Sequence, residues 1–176
     1  ISDKSLWWYK NTNKDDSAHF EFQQMNFLQN EMIEVSEGAY PSFVDFNNDG
    51  FLDIATANIS SNTVSVLLGN GDGTFRTKVE YPVGNGATSL IAADLNGDRK
   101  LDIIVANLYN NSISVLLNNG DGTFQTQVEY SSGMGTISLL AADFNNDGKV
   151  DIAATNSADG TVSIFMGIGN GALNSP

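Results

Sequence analysis

A nine-residue acidic segment occurs three times in this chain, and it constrains the possible folds more than any other feature. The copies cover residues 45–53, 94–102 and 143–151, and each begins 49 residues after the one before. Residues 45–93 and 94–142 are identical at 29 of 49 positions without a gap. Self-similarity at a period of 40–50 residues is typical of repeat proteins in which each unit is one small sheet. The repeat therefore predicts the organisation of the whole chain.

Within each segment, positions 1, 3, 5 and 9 carry side chains with oxygen atoms. A hard cation such as Ca²⁺ takes about six to eight oxygen ligands, and position 7 would add its backbone carbonyl. Asp, Asn and Gly also favour ordinary turns, but three copies in register favour a metal site. The predicted cofactor is calcium, up to three ions with one per loop, and the predicted ligands are Asp45, Asn47, Asp49, Phe51, Asp53, Asp94, Asn96, Asp98, Lys100, Asp102, Asp143, Asn145, Asp147, Lys149 and Asp151.

Other metals fit these segments less well than calcium does. The loops contain no Cys or His, which disfavours transition metals, and Mg²⁺ prefers a rigid octahedron with more water. The middle loop differs from the others at position 6, where Arg99 replaces Gly50 and Gly148. Glycine adopts a positive φ at little cost, so we expect the middle site to be distorted or weaker.

The acidic composition limits the possible partners. The chain of 176 residues has 8 basic and 21 acidic residues, for a formal net charge of −13, and nine of the acids are loop aspartates. So negative a surface makes nucleic acid an unfavourable partner, and no apolar run is long enough for a transmembrane helix. Cysteine is absent, so calcium rather than disulfides would stabilise an extracellular protein. The chain starts at Ile1 without a signal peptide, which suggests a mature or excised piece.

Each repeat is predicted to form four short antiparallel strands, the blade of an all-β propeller. In the second unit the strands are predicted at 89–94, 101–107, 112–117 and 124–130. The first three are almost continuously apolar, as expected for strands buried on both faces. In the fourth, Phe124, Thr126, Val128 and Tyr130 alternate with polar residues, which predicts one buried face and one solvated outer face.

The predicted organisation is about three and a half blades in an incomplete ring. Residues 1–38 would form half a blade with longer connections, 39–87 the first blade, 88–136 the second, and 137–176 a third blade that lacks its outer strand. Propellers generally have four to eight blades. The chain is therefore predicted to be a fragment of a longer chain or to form a homo-oligomer, with other chains or further blades completing the ring.

The pattern Asp-x-Asn-x-Asp-Gly-x-x-Asp-Ile, followed by a strand and Gly-Asn-Gly-Asp-Gly-Thr-Phe, resembles the FG-GAP or VCBS repeat. That repeat builds the propeller of integrin α-subunits and related calcium-binding propellers, including some fungal lectins. The resemblance covers about residues 39–173 well and residues 1–38 loosely. It implies calcium ligands at positions 1, 3, 5 and 9 of each loop, and it is specific for the blade but not for the function.

A few residues outside the loops are candidates for other sites. His19 is the only histidine and lies in the irregular N-terminal region, so a catalytic triad is disfavoured and no catalytic residue is predicted. Trp7 and Trp8 could stack on a sugar, although packing between blades is the favoured interpretation because adjacent strand residues point to opposite faces. Asn58 and Asn110 begin N-glycosylation sequons, and both are expected on exposed ground.

Three functional hypotheses remain open. The first is an extracellular, secreted or cell-surface, calcium-stabilised propeller segment that acts in cell adhesion, recognition or assembly and is not an enzyme. The second is a lectin that binds glycans between adjacent blades, and the third is an accessory propeller of a larger secreted enzyme.

Overall fold

The computed structural model describes residues 9–11, 20–22 and 41–176, and in this part of the chain all regular structure is β-strand. The strands are β1 (Tyr9–Asn11), β2 (Phe20–Phe22), β3 (Ser42–Val44), β4 (Asp53–Asn58), β5 (Thr63–Leu67), β6 (Val79–Pro82), β7 (Ala87–Ala93), β8 (Asp102–Asn107), β9 (Ser112–Leu116), β10 (Val128–Ser131), β11 (Thr136–Ala142), β12 (Asp151–Asn156) and β13 (Thr161–Phe165). None of the described residues belongs to a helix that could cross a membrane.

The chain divides into two compact units, Ile1–Ile33 and Glu34–Pro176. In the first unit, β1 and β2 form an antiparallel pair with Tyr9 opposite Phe22. The second unit contains three antiparallel sheets in chain order: sheet 1 is β3–β4–β5–β6, sheet 2 is β7–β8–β9–β10, and sheet 3 is β11–β12–β13. The all-β class, the four-stranded blades and the open arrangement predicted from the sequence are confirmed.

The sheets of the second unit stack on one another through their inner strands. β7 contacts β3 and β4, and β11 contacts β7 and β8. Successive residues of β8 point to opposite faces, so Ile103 and Val105 pack toward sheet 1 while Ile104 packs toward sheet 3. Every residue of β8 and β9 is buried, which explains why the polar residues of these strands are Asp, Asn and Ser with hydrogen-bond partners beside the apolar core residues.

The outer face of sheet 3 is open. At loop position 2 the exposed fraction is 0 % for Phe46 and 2 % for Leu95 but 41 % for Phe144. On the third strand of each sheet, Ile113 is fully buried whereas the equivalent Val162 is exposed. Among the described residues, no strand pairs with the outer edge of β13. Residues that would be core in a continued stack therefore face solvent here.

The fourth strands differ from the prediction. β6 and β10 begin only at Val79 and Val128, and Phe124 forms an isolated bridge with Asn118 instead of starting a strand. The predicted burial of Val128 is wrong, because 54 % of this residue is exposed at the start of the outer edge strand. Phe124 is buried as predicted, with its ring edge-on to Phe46 at a centroid distance of 5.3 Å.

A buried asparagine ends the second strand of each sheet, and its environment differs between sheets 2 and 3. The Asn156 Oδ1 atom accepts hydrogen bonds from Ser132 Oγ at 2.9 Å and from Thr136 Oγ1 at 3.2 Å. One repeat earlier, the two hydroxyl positions hold Val83 and Ala87. The Asn107 Oδ1 atom is buried and has no hydrogen-bond partner among the described residues, an arrangement that costs about 1–3 kcal/mol.

Ala87→Thr is expected to have a free energy of unfolding about 1 kcal/mol higher than that of Ala87→Val, because its hydroxyl would donate to the unpaired Asn107 oxygen. Ala87→Val is the matched control, since valine has nearly the same shape without the hydroxyl. Urea denaturation of the two variants measures the difference. Equal stability of the threonine and valine variants would show that the added hydroxyl does not reach Asn107.

Candidate metal centre

Three acidic loops occupy equivalent places in the three sheets of the second unit. Each connects the first strand of its sheet to the second: residues 45–52 join β3 to β4, residues 94–101 join β7 to β8, and residues 143–150 join β11 to β12. The hairpin that follows each third strand lies at the same end, since Gly69 is hydrogen-bonded to the first residue of β4. Because each acidic loop belongs to a different sheet, the three loops form three separate candidate sites.

The side chains of the first loop are held by backbone N–H groups. The two carboxylate oxygens of Asp45 accept from the Asp49 N–H at 3.2 Å and from the Gly50 N–H at 2.9 Å. Asn47 Oδ1 also accepts from the Asp49 N–H, and Asp49 Oδ1 accepts from the Phe51 N–H at 2.9 Å. The third loop repeats these four bonds at the equivalent residues. Positions 1, 3 and 5 are thus ordered around one tight turn.

The middle loop has the same backbone arrangement as the outer two. Asp94 Oδ2 accepts from the Arg99 N–H at 2.8 Å, as Asp45 does from Gly50. Arg99 adopts φ +66°, close to the +85° and +82° of Gly50 and Gly148, at a conformational cost of about 1–2 kcal/mol. The expected distortion of this loop is therefore wrong, because the chain tolerates a non-glycine residue in the left-handed region. Its weaker affinity stays a prediction.

Position 9 of each loop has a structural role that the spacing of the acidic residues does not reveal. Asp102 is fully buried, and its two oxygens accept from the Leu95 N–H at 3.0 Å and the Asn118 N–H at 2.9 Å. Asp53 and Asp151 make the equivalent pairs of bonds. These three carboxylates join the loop to the end of the third strand. A metal ion would have to share their oxygens with the backbone.

Burial raises the pKa of Asp53 and of Asp102, and the carboxylates at positions 1 and 5 of the same loop act in the same direction. Because the folded-state pKa is raised, ionising these groups costs folding free energy as the pH rises through that pKa. A positive ion in the loop would offset this cost.

Two of the loop aspartates at position 5, Asp98 and Asp147, have pKa values shifted in the opposite direction. Backbone and ammonium hydrogen bonds from Lys149 lower the pKa of Asp147. Partial burial would raise the pKa of Asp98, but hydrogen bonds from Lys100 lower it below its ordinary value. These two groups are therefore ionised over a wider pH range than an ordinary aspartate.

The donor set has the chemistry that a hard cation requires. The loop side chains at positions 1, 3 and 5 offer carboxylate and amide oxygens, and position 7 offers a carbonyl. Among the described residues, no three acidic or histidine side chains converge closely enough to hold a metal ion, since the third carboxylate of each loop is directed at the backbone. The residues fit calcium through positions 1, 3, 5 and 7, and the ligand assignments stay predictions.

The remaining predicted sites have different outcomes. Asn58 is 4 % exposed, and its Nδ2 atom donates to Ser65 Oγ at 2.8 Å. The expectation that this sequon lies on exposed ground is wrong, because Asn58 is the last residue of a buried strand, and the folded protein has no room for a glycan there. Asn110 is exposed and donates to Glu129 at 2.8 Å, and its glycosylation stays a prediction. Trp7, Trp8 and His19 lie outside the described residues.

Comparison with known proteins identifies the repeat. A family model for the FG-GAP-like repeat matches residues 45–105 and 94–154, which together make up more than half of the chain. No curated protein matches this sequence.

Two solved structures are similar to this chain to different degrees. One is a lectin of Agrocybe aegerita that specifically recognises non-reducing terminal N-acetylglucosamine; it is 22 % identical, with a TM-score of 0.62 over 98 % of this chain. The chain spans 45 % of the length of that lectin. Another is the Tc holotoxin pore of Photorhabdus luminescens, 13 % identical with a TM-score of 0.39, covering 100 % of this chain and 11 % of the toxin chain.

Proposed function

Because this chain belongs to the FG-GAP-like repeat family, we propose that it is a non-catalytic, calcium-stabilised segment of an extracellular propeller that acts in recognition, adhesion or assembly. The observation that carries the proposal is the threefold recurrence of an all-oxygen loop at the same end of three stacked sheets. Calcium would neutralise clustered aspartates and hold each loop in place, which is a structural role. Extracellular sites commonly have calcium dissociation constants of about 10⁻⁴–10⁻³ M, so the calcium concentration outside cells is high enough to occupy them.

The open face of sheet 3 supports a role in assembly. Phe144 and Val162 are exposed where their counterparts in sheet 2 are buried, and apolar surface of this kind is stabilised by contact with another sheet. Further blades of a longer chain, or a second copy of this one, would provide that contact. Mass measurement of the native particle distinguishes the two.

Asp147→Ala is expected to reduce the number of bound calcium ions by one per chain, measured by isothermal titration calorimetry. The other two sites should be unchanged, because each loop belongs to a separate sheet. Asp159→Ala is the matched control, since Asp159 is an exposed aspartate in the turn between β12 and β13 of the same sheet. Absence of calcium binding to the unaltered protein would contradict the proposal, as would an unchanged count in the Asp147 variant.

The second candidate function is carbohydrate binding, which the fold likeness to the Agrocybe aegerita lectin supports. An array of glycans with different terminal sugars, N-acetylglucosamine among them, tests it directly. Selective retention on one terminal sugar would favour the lectin function. Absence of retention at calcium saturation would leave protein recognition as the favoured function.

A further inference from the structure

Every position-5 aspartate of the loops has a basic side chain beside it. The shortest nitrogen–oxygen distances are 4.0 Å from Arg76 to Asp49, 3.3 Å from Lys100 to Asp98, and 3.4 Å from Lys149 to Asp147. Residues 41–176 contain only two other basic residues, Lys78 and Arg99, and Arg99 is itself in the middle loop. Within residues 41–176, four of the five basic residues therefore lie at the three loops.

These cations come from two different places in the repeat. In sheets 2 and 3 the lysine is at position 7 of the loop, whereas sheet 1 has Phe51 there. In sheet 1 the charge comes instead from Arg76, at a position where sheets 2 and 3 have Gln125 and Asn174. The charge beside the carboxylate is present in all three units although its source changes. Two different positions of the repeat therefore place a positive charge beside the same carboxylate.

The lysines are positioned by packing as well as by charge. A Cβ atom at Gly120 would lie 2.7 Å from Lys100 Cε, and one at Gly169 would lie 3.2 Å from Lys149 Cδ. The aliphatic part of each lysine therefore lies directly over a glycine of the hairpin that follows the third strand. Lys100 Nζ also donates to the Asn119 carbonyl at 3.2 Å. Lysine side chains commonly pack their aliphatic part against an apolar surface while the ammonium group stays at a polar group.

We propose that Arg76, Lys100 and Lys149 are tethered counter-ions of the position-5 aspartates and that they compete with the divalent ion for these carboxylates. The inference rests on the proposed calcium function. Without metal, each cation neutralises part of its loop and keeps it folded. With metal, the same cation repels the divalent ion, because both approach one carboxylate.

The distances and exposures of the three cations predict an order of calcium affinity among the loops. The pair in the first loop is the longest, and the Arg76 side chain is the most exposed of the three cations, at 57 %. The first loop therefore has the weakest competitor and is the first to fill. The middle loop has Lys100 at 3.3 Å and Arg99 at position 6, so it is the last to fill.

Lys149→Met is the direct test, because methionine keeps an aliphatic chain over Gly169 and removes the charge. Calorimetric titration with calcium chloride is expected to give about tenfold tighter binding at one site, as expected for removing a unit charge a few ångströms from a divalent ion. Lys149→Arg, which keeps the charge, should bind calcium as the unaltered protein does. Lys78→Met is the matched control, since Lys78 pairs with Glu80 on the outer strand of sheet 1 at 2.9 Å.

The outcomes separate this inference from the proposed function. If the unaltered protein binds calcium and the methionine variant binds it no more tightly, the counter-ion inference is overturned and the calcium function stands. If only the methionine variant binds calcium, the competition is supported, but the proposed calcium function of the unaltered protein is overturned. If neither protein binds calcium, both proposals fail.

Discussion

Asp102→Ala is expected to lower the free energy of unfolding by about 3–5 kcal/mol, because it leaves two buried backbone N–H groups without an acceptor. The Asp102 carboxylate is fully buried and holds Leu95 and Asn118 at 3.0 and 2.9 Å. Its removal detaches the acidic loop from the end of the third strand. Urea denaturation in the presence of a chelator measures the loss without any contribution from metal binding.

Two comparison variants make the Asp102 result interpretable. Asp98→Ala removes an exposed carboxylate from the same loop, and we expect a loss below about 1 kcal/mol, as for most surface substitutions. Asp102→Asn keeps the size and one acceptor oxygen, so its stability should lie between those of the other two variants. Equal losses at positions 98 and 102 would mean that the buried carboxylate does not join the loop to the strand.

Phe46→Ala is expected to cost about 3–5 kcal/mol, the range for removing a buried aromatic ring. Phe46 lies between sheets 1 and 2, fully buried, with its ring edge-on to Phe124 at 5.3 Å. Phe144→Ala makes the same chemical change at the same loop position of sheet 3, where 41 % of the side chain is exposed. Thermal and urea denaturation should show a loss several times smaller for the Phe144 variant.

The comparison of the two phenylalanines also tests the open face. If Phe144→Ala is as costly as Phe46→Ala in a monomer, another part of the chain covers sheet 3, and the stack is not open there. If the cost at position 144 appears only at high protein concentration, a second copy covers this face, because oligomer stability depends on concentration.

The architecture was predictable because each copy of the repeat corresponds to one sheet. Three copies of one loop at a fixed spacing determine the three sheets of the second unit, and continuous apolar runs such as Ile103 to Val105 indicate strands buried on both faces. The burial of Phe124 was predictable in the same way. The limits of β10 were not, because Phe124, Thr126 and Val128 have the same alternation whether or not they are hydrogen-bonded to β9.

The roles of side chains within the loops were less predictable. Asp94, Asp98 and Asp102 are the same residue type at the spacing of a metal site, and only the fold shows that Asp102 is buried on two backbone N–H groups while Asp98 is exposed. The Asn-Ile-Ser triplet at Asn58 matches a sequon although the asparagine is a buried strand end. The pairing of Arg76 with Asp49 joins residues 27 positions apart, which a local pattern does not reveal.

Anomalous scattering from crystals grown with terbium in place of calcium tests most directly whether these loops hold metal ions. The expected result is one peak in each of the three loops, bounded by the oxygens of positions 1, 3 and 5 and by the carbonyl of position 7. A map with no peak at any loop, at a terbium concentration that saturates other calcium sites, would mean that the acidic segments are metal-free turns held by their own hydrogen bonds.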